Sequence, residues 1–213
     1  MYRPNYHRAT RQAYRVLLAA KIDRLPVDVD VLCERCHDTT LVSSRTVRDL
    51  MDDDDFDPFF DGPSRTALTI RRWRDGRAYH TIIWNTEEMS HGSAQYRHAV
   101  AHELGHVILR HPGGQHPAAE AEAELFAQHL LCPRPALDVL QPDALEITRL
   151  FGVSMPAAYA VRATLRQENR YVDADMWSGI FGAFDLAEKR TIAAHLTAAA
   201  YVALSASRRK MYG

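Results

Sequence analysis

The sequence predicts an α+β fold, mostly helical, with a small β-sheet or hairpin and extra helices at the C-terminal end. Two runs rich in β-branched and aromatic residues, 66–74 and 77–84, flank Asp75-Gly76, a pair typical of a two-residue hairpin turn. From residue 93 onward, apolar residues recur at helical spacing instead. Of the 213 residues, 46% are hydrophobic and 25% are charged, so the chain can fill a core of this kind.

The predicted helices end where proline or glycine interrupts the apolar pattern. A first amphipathic helix covers residues 9–24 before Pro26, and a second, short helix covers residues 28–37. The acidic run at 52–57 lacks the spacing and the glycine of an EF-hand loop, so we expect a solvated loop and no calcium site. Further helices are predicted at residues 93–111, 117–131, 143–151, 154–168 and 185–208.

Composition and cysteine content narrow the range of functions. The formal net charge of −1 gives no overall field that would favour nucleic acid or a membrane as a partner. The three cysteines are too few, and odd in number, for a disulfide framework. The first residues lack the apolar segment of a secretory signal, and no run is apolar for the length of a membrane span, so we expect a cytoplasmic protein without a membrane partner.

Cys33, Cys36 and His37 match the C-x-x-C-H pattern of covalent haem attachment. Attachment of this kind normally requires export, for which the sequence shows no signal. No second pair of cysteines is present to complete a structural zinc site. The favoured interpretation is therefore a helix that carries two reduced cysteines.

The segment with the most specific chemistry is AVAHELGHVILRH, residues 99–111, which places His102, Glu103 and His106 in the pattern H-E-x-x-H. Around a helix, His106 lies about 40° and Glu103 about 100° from His102, and the aliphatic residues occupy the opposite face. Two histidines one turn apart can bind one tetrahedral metal ion, with the glutamate beside it. Such polar groups on a buried flank need partners, which favours a metal site over a purely structural helix.

A catalytic zinc site typically has a third protein ligand, and the next predicted helix offers three glutamates. Glu120 and Glu124 share one face of that helix, whereas Glu122 lies on the opposite face. We predict Glu120 as the third ligand and Glu124 as a hydrogen-bond partner of a ligating histidine. For Glu122, a solvated position on the surface of the helix stays an open alternative. The small residues Ala123 and Ala127 would let the two helices approach closely, and the short break between them permits an antiparallel return.

The ordered set of motifs resembles the ImmA/IrrE family of metallo-endopeptidases. The matching segments are IIWN at 82–85, AHELGH at 101–106, EAEAELFAQHLLCP at 120–133 and FGVS at 151–154, followed by Arg162. The resemblance extends over roughly residues 25–168 and leaves the tail uncovered. This chain has Glu124, Cys132 and His98 where the family usually has Asn, Met and Phe.

The resemblance implies a zincin-like metalloprotease core with one Zn²⁺ per chain, bound by His102, His106 and Glu120. Glu103 would be the catalytic residue, taking a proton from water and passing it to the leaving amine. The implied substrate is a protein, a helix-turn-helix repressor cleaved by a narrow-specificity regulatory protease of a phage, mobile-element or stress circuit. Residues 1–170 would form the zinc metallopeptidase domain, and residues 171–213 a C-terminal helical extension.

Two other classes of function stay open. Residues 144–167 have the rhythm of a helix-turn-helix with Gly152 at the turn, which could belong to a DNA-binding regulator. The second of these helices offers few side chains able to read base edges, so direct nucleic-acid binding is not the favoured interpretation. The other class is a catalytically inactive interaction protein, against which the intact set of candidate ligands argues.

Several other polar side chains receive no role from the sequence. Four histidines near the motif could line a cleft but are more typical of polar surface: His91, His98, His111 and His116. Three residues could stabilise an oxyanion, and the sequence does not choose among them: Tyr159, Arg162 and His195.

Overall fold

The computed structural model describes residues 3–22, 24–36, 38–50, 65–114 and 116–171, together with residues 194 and 198. Over these residues the α+β prediction is confirmed, because helices accompany a single three-stranded sheet. The acidic run at 52–57 lies outside the described residues, and so does the helix predicted at 185–208 apart from residues 194 and 198. In chain order the elements are α1 Tyr6–Ala19, α2 Val29–Arg35, β1 Thr39–Ser43, α3 Ser44–Arg48, β2 Ala67–Arg74, β3 Arg77–Trp84, α4 Ala94–Ile108, α5 Pro117–Leu131, α6 Arg134–Leu140, α7 Ala144–Phe151 and α8 Met155–Tyr171.

The chain divides into two compact units, which differ in content. The first unit, Met1–Pro4 with Asp28–Ala127, contains the sheet, α2 to α4 and most of α5. The second unit, Asn5–Val27 with Gln128–Gly213, contains α1, the end of α5 and α6 to α8. The boundary expected between residues 170 and 171 stays a prediction, since only residues 171, 194 and 198 are described beyond it.

The sheet of the first unit has the order β1-β3-β2, with β3 in the centre. The predicted hairpin is confirmed, since β2 and β3 pair antiparallel around Asp75-Gly76, with Arg74 opposite Arg77. Strand β1 was not expected from the sequence, and it pairs with β3 in parallel. Its five residues TTLVS are too short for a clear alternation, and a parallel pairing leaves no hairpin turn in the sequence to reveal it.

The core of the first unit lies between β3 and the helices α4 and α5. Ile82 and Ile83 on the central strand are fully or almost fully buried, as are Val100 and Leu104 on α4 and Phe126 on α5. Helix α4 packs against both β2 and β3. Its N-terminus is capped by Ser93, whose hydroxyl accepts a hydrogen bond of 3.1 Å from the backbone N–H of Tyr96. Because Val100 and Leu104 occupy the face of α4 that packs into this core, its other face can carry polar groups.

The second unit contains the two helices of the predicted helix-turn-helix rhythm. α7 begins with a capping box in which Asp143 and Glu146 each accept from the other's backbone N–H. It ends at Gly152, which has the positive φ of 64° that a left-handed cap favours. α1 is capped by Asn5 and buries Ala13, Tyr14 and Leu17 on one face.

Two predicted helices end earlier in the structure than the sequence suggested. α1 ends at Ala19 instead of residue 24, and α4 ends at Ile108 instead of residue 111. Two short helices, α3 and α6, were not predicted. Among the described helices, none combines the length and the apolar character that crossing a lipid bilayer would need.

Candidate metal centre

Helix α4 places the three residues of the H-E-x-x-H motif on one side, as the helical pattern predicted. Val100 and Leu104 point into the core and are completely buried. The rings of His102 and His106 lie one turn apart, with centroids separated by 4.9 Å. Their side chains are 20% and 18% exposed, so both rings are largely buried but reach solvent.

Helix α5 returns alongside α4 and brings Glu120 to the same point. Oε2 of Glu120 is 3.2 Å from Nε2 of His102 and 3.6 Å from Nε2 of His106. The two histidine nitrogens are 3.1 Å apart. All three donor atoms therefore converge, and within the described residues these three form a group that could hold a metal ion.

The two helices approach this closely because small residues face each other. A Cβ atom added to Gly105 of α4 would lie 3.2 Å from Cα and 3.3 Å from the carbonyl oxygen of Ala123 on α5. It would also lie 3.0 Å from Cδ1 of Phe126. The sequence correctly indicated that Ala123 would permit a close approach, and Gly105 is its counterpart on α4.

The three donor atoms fit a tetrahedral ion such as Zn²⁺. Imidazole nitrogens and a carboxylate oxygen are its usual ligands, at about 2.0–2.2 Å, so two ligand atoms of one tetrahedral ion lie about 3.3–3.5 Å apart. The observed separations of 3.1, 3.2 and 3.6 Å bracket this range. A site with three protein ligands also leaves a fourth position for water or substrate, as catalytic zinc sites do.

Glu103 lies beside these donors and opens onto a cavity. Its Oε2 accepts a hydrogen bond of 2.6 Å from the hydroxyl of Thr69 on β2. Burial raises the pKa of Glu103 above its ordinary value, although the Thr69 hydrogen bond and the charge of His102 act in the opposite direction. The cavity, of about 330 Å³, is lined by residues that include Arg65, Thr69, Arg71, Glu103, His106 and Glu120.

The two histidines differ in their electrostatic surroundings. Burial acts to lower the pKa of His102, but the neighbouring carboxylates of Glu124, Glu103 and Glu120 outweigh it, and the pKa is raised. Burial, followed by the charge of His102, lowers the pKa of His106 well below its ordinary value. His106 is therefore a neutral imidazole at pH 7, with a lone pair on one ring nitrogen.

Glu124 has the neighbour that the sequence predicted for it. Its Oε2 is 3.6 Å from Nδ1 of His102, the ring nitrogen that does not face Glu120. It also lies 3.2 Å from Nε2 of His98, which brings that histidine to the edge of the site. Glu124 is thus placed to orient the His102 ring from its Nδ1 side, opposite the nitrogen that faces Glu120.

Sequence reasoning missed Thr69, which bonds to Glu103, and two buried residues next to His106, His111 and Glu122. His111 was expected on polar surface and is buried, with its Nδ1 2.9 Å from Nδ1 of His106. For Glu122 a solvated position was an open alternative, and the residue is completely buried, 3.1 Å from Nε2 of His111. The only available signal was the presence of a histidine close to the end of the motif helix, which does not by itself indicate a contact.

The remaining candidate residues lie elsewhere. His91 is 3.3 Å from Asp30 and 63% exposed. Tyr159 and Arg162 belong to the second unit, where Tyr159 is exposed and Arg162 donates a 3.0 Å hydrogen bond to the carbonyl of Pro142. His37 and His195 lie outside the described residues.

The cysteines of the C-x-x-C-H pattern show no sign of a reactive pair. Neither Cys33 nor Cys36 forms a disulfide bond. Burial, with a smaller effect from the neighbouring Cys36, raises the pKa of Cys33 to about 12, so this residue stays a protonated thiol. Cys33 lies on α2, as the sequence favoured, whereas Cys36 directly follows the last residue of that helix.

A comparison with protein families finds a match in the central part of the chain. Residues 70–161 match the family model Peptidase_M78, described as the IrrE N-terminal-like domain. The matched segment contains α4 and α5 with the three candidate ligands, and it supports a metallopeptidase. Neither the curated proteins nor the solved structures contain a match to this chain.

Proposed function

We propose that this chain, whose residues 70–161 belong to the Peptidase_M78 family of IrrE N-terminal-like domains, is a zinc-dependent endopeptidase. The observation that carries the proposal is the convergence of two imidazole nitrogens and one carboxylate oxygen beside Glu103. The same cluster opens onto a cavity large enough to admit a side chain of a peptide substrate. The fold, the family match and the donor chemistry all support this proposal.

His102, His106 and Glu120 would hold the zinc ion. When bound, the metal supplies Lewis acidity, which activates a water nucleophile and polarises the scissile carbonyl. Glu103 is not a ligand in this assignment. The Thr69 hydroxyl occupies one lone pair of its carboxylate and fixes its direction, and Glu103 accepts the proton of the attacking water and returns it to the leaving amine.

The proposed substrate is a protein, a helix-turn-helix transcriptional repressor of a phage, mobile-element or stress circuit. Support for this class comes from the family resemblance, since the motif set matches that of regulatory proteases. A protease of this kind has narrow specificity, so we expect no cleavage of generic substrates such as casein. A DNA-binding role for α7 and α8 is the less favoured alternative, and salt-dependent binding to duplex DNA would support it.

The first experiment measures zinc per chain by elemental mass spectrometry. We expect about one zinc in the wild type and a sharp loss in His106→Ala and in Glu120→Ala. His91→Ala is the matched control, because it removes an exposed histidine of the same unit that lies away from the donors. A folded wild type that takes up no zinc, even after metal is added, would exclude the proposed function.

A second experiment tests catalysis directly. Candidate repressors are co-expressed with the wild type and with Glu103→Gln, and cleavage is followed by mass spectrometry of the products. Glu103→Gln should retain zinc and lose cleavage, because its amide cannot take a proton from water. Undiminished cleavage by this variant would exclude Glu103 as the general base.

A further inference from the structure

Two buried side chains lie on the Nδ1 side of the His106 ring, whereas its Nε2 faces His102 and Glu120. Nδ1 of His111 is 2.9 Å from Nδ1 of His106, and Nε2 of His111 is 3.1 Å from Oε2 of Glu122. The side chain of His111 is 2% exposed and that of Glu122 is 0% exposed. A continuous chain of hydrogen bonds therefore links a buried carboxylate to a candidate metal ligand.

A turn at the end of α4 places His111 in this position. The backbone N–H of His111 donates to the carbonyl of His106 at 3.0 Å, and that of Arg110 donates to Val107 at 3.1 Å. Arg110 adopts a left-handed conformation with φ of 53°. These are the bonds of a Schellman motif, which reverses the chain after a helix. In a continued helix His111 would lie about 140° around the axis from His106, out of reach of its ring.

The protons along this chain can be counted. A neutral imidazole has one N–H group and one lone pair. If the carboxylate of Glu122 accepts from Nε2–H of His111, then Nδ1 of His111 carries a lone pair and accepts from Nδ1–H of His106. Nε2 of His106 then carries the lone pair that points towards His102 and Glu120. The reverse order would place a proton on Nε2 of His106 and block it as a ligand.

We propose that Glu122 and His111 form a relay that holds His106 in the tautomer whose Nε2 binds the metal. This inference rests on the proposed function, because it assigns a role to residues around the same ion. Both are positioning residues, since neither reaches the donor cluster. Metal-ligating histidines commonly donate their second N–H to a carboxylate or carbonyl, and here one additional imidazole stands between the ligand and the carboxylate.

The other proposed ligand, His102, faces a carboxylate with no second imidazole between them. Nδ1 of His102 lies 3.6 Å from Oε2 of Glu124 directly. Glu122 and Glu124 lie on different faces of α5, yet each stands behind one of the two histidines. The His106 side is the more buried of the two, because Glu124 is 43% exposed and Glu122 is not exposed at all. A change at Glu122 is therefore less easily compensated by water.

The test measures zinc affinity by competition with a chromophoric chelator for the wild type, Glu122→Gln, His111→Phe and the double variant. We expect zinc affinity to fall by about 10- to 100-fold in each single variant, because the orienting partner of His106 is weakened or lost. The double variant should bind no more weakly than His111→Phe alone, since Glu122 acts through His111. His91→Gln is the control and should leave the affinity unchanged.

A measurement on the unaltered protein keeps the test independent of folding defects in the variants. Two-bond ¹H–¹⁵N NMR spectra of the zinc-loaded wild type report which nitrogen of each histidine carries a proton. We expect N–H at Nδ1 of His106 and at Nε2 of His111. Circular dichroism and thermal unfolding of the metal-free variants show whether a lost affinity reflects a lost fold.

Three outcomes would overturn the inference, and they are distinguishable. Zinc binding by the wild type with unchanged affinity in both single variants would overturn the relay and leave the proposed function standing. A proton found on Nδ1 of His111 in the zinc-loaded wild type would do the same. Absence of zinc binding by the folded wild type would overturn the relay and the proposed function together.

Discussion

The hydroxyl of Thr69 donates a hydrogen bond of 2.6 Å to Oε2 of Glu103, which connects the edge strand β2 to the helix that carries both histidines. Thr69 is itself fixed by its pairing with Ile82 on the central strand, a residue that is completely buried. The direction of the Glu103 carboxylate is therefore set by the sheet as well as by its own helix.

Replacing Thr69 by Val should slow catalysis without releasing the metal. Val keeps the shape and the strand preference of Thr but cannot donate to Glu103, whose carboxylate then loses its fixed direction. We expect kcat on an identified substrate to fall by about 10-fold or more, with zinc affinity unchanged. Thr69→Ser restores the hydroxyl and should recover most of the rate. Equal rates for Thr69→Val and the wild type would show that the hydrogen bond does not position the base.

Replacing Gly105 by Ala should force the two ligand-bearing helices apart. Alanine improves helix propensity by about 1 kcal/mol. Its methyl group would meet the backbone of Ala123, and such overpacking costs about 1–3 kcal/mol. We expect urea unfolding to show a net loss of up to about 2 kcal/mol, and we expect weaker zinc binding because Glu120 moves away from the histidines.

The matched control for this change is Gly113→Ala, since nothing lies within 4 Å of a Cβ at that position. Its free energy of unfolding should stay within about 0.5 kcal/mol of the wild type. A Gly105→Ala protein that is more stable than the wild type and binds zinc equally well would show that α4 and α5 can accommodate a methyl group at this contact.

Replacing Arg110 by Gly should stabilise the protein and preserve the centre. Arg110 holds a φ of 53°, a conformation that costs an L-residue about 1–2 kcal/mol and costs glycine little. After the added chain entropy of glycine is subtracted, we expect a gain of about 0.5–1 kcal/mol in thermal or urea unfolding. Arg110→Val should have the opposite effect and also weaken zinc binding, because the turn that positions His111 is disturbed.

Lys21 provides a comparison for the same conformation in the second unit. It follows α1 with φ of 48°, and Lys21→Gly should stabilise the protein to a similar extent. Because it lies in the other unit, zinc affinity should not change in either direction. Loss of stability in both glycine variants would show that the left-handed conformations of Arg110 and Lys21 are not strained.

These two turns also show where sequence reasoning reached its limit. α1 and α4 were both predicted to run several residues too far, and both end in a Schellman motif whose left-handed residue is not glycine. Helix ends are recognised in a sequence largely by glycine at this position, as at Gly152, where the predicted end of α7 agrees with the structure. Lys21 and Arg110 carry no such signal, because their conformation is imposed by the folded chain.

The error at the end of α4 explains why the proposed relay was missed although His102, His106 and Glu120 were predicted to lie together. The spacing of His102, His106 and Glu120 is a local property of two helices, and helical geometry alone places each residue on the correct face. His111 reaches His106 only because the helix stops at Ile108 and the chain turns back. A helix continued to residue 111 would have turned His111 away from His106, so its contact with Glu122 could not be expected either.

The stability of the protein should also depend on pH through His129, which lies outside the metal centre. Nδ1 of His129 is 2.9 Å from the hydroxyl of Tyr14, a residue that is completely buried. Burial, with a smaller effect from the charge of Arg134, lowers the pKa of His129 to about 4. An unfolded histidine titrates near 6.5, so between these two values the unfolded chain binds the additional proton. Stability should therefore be fully present above about pH 6.5 and decline as the pH falls towards about 4.

The variant His129→Phe lacks this titrating group. From pH 7 to pH 4, the free energy of unfolding should therefore fall more in the wild type than in the variant. A difference that stays constant over this range would show that His129 does not titrate as its surroundings indicate.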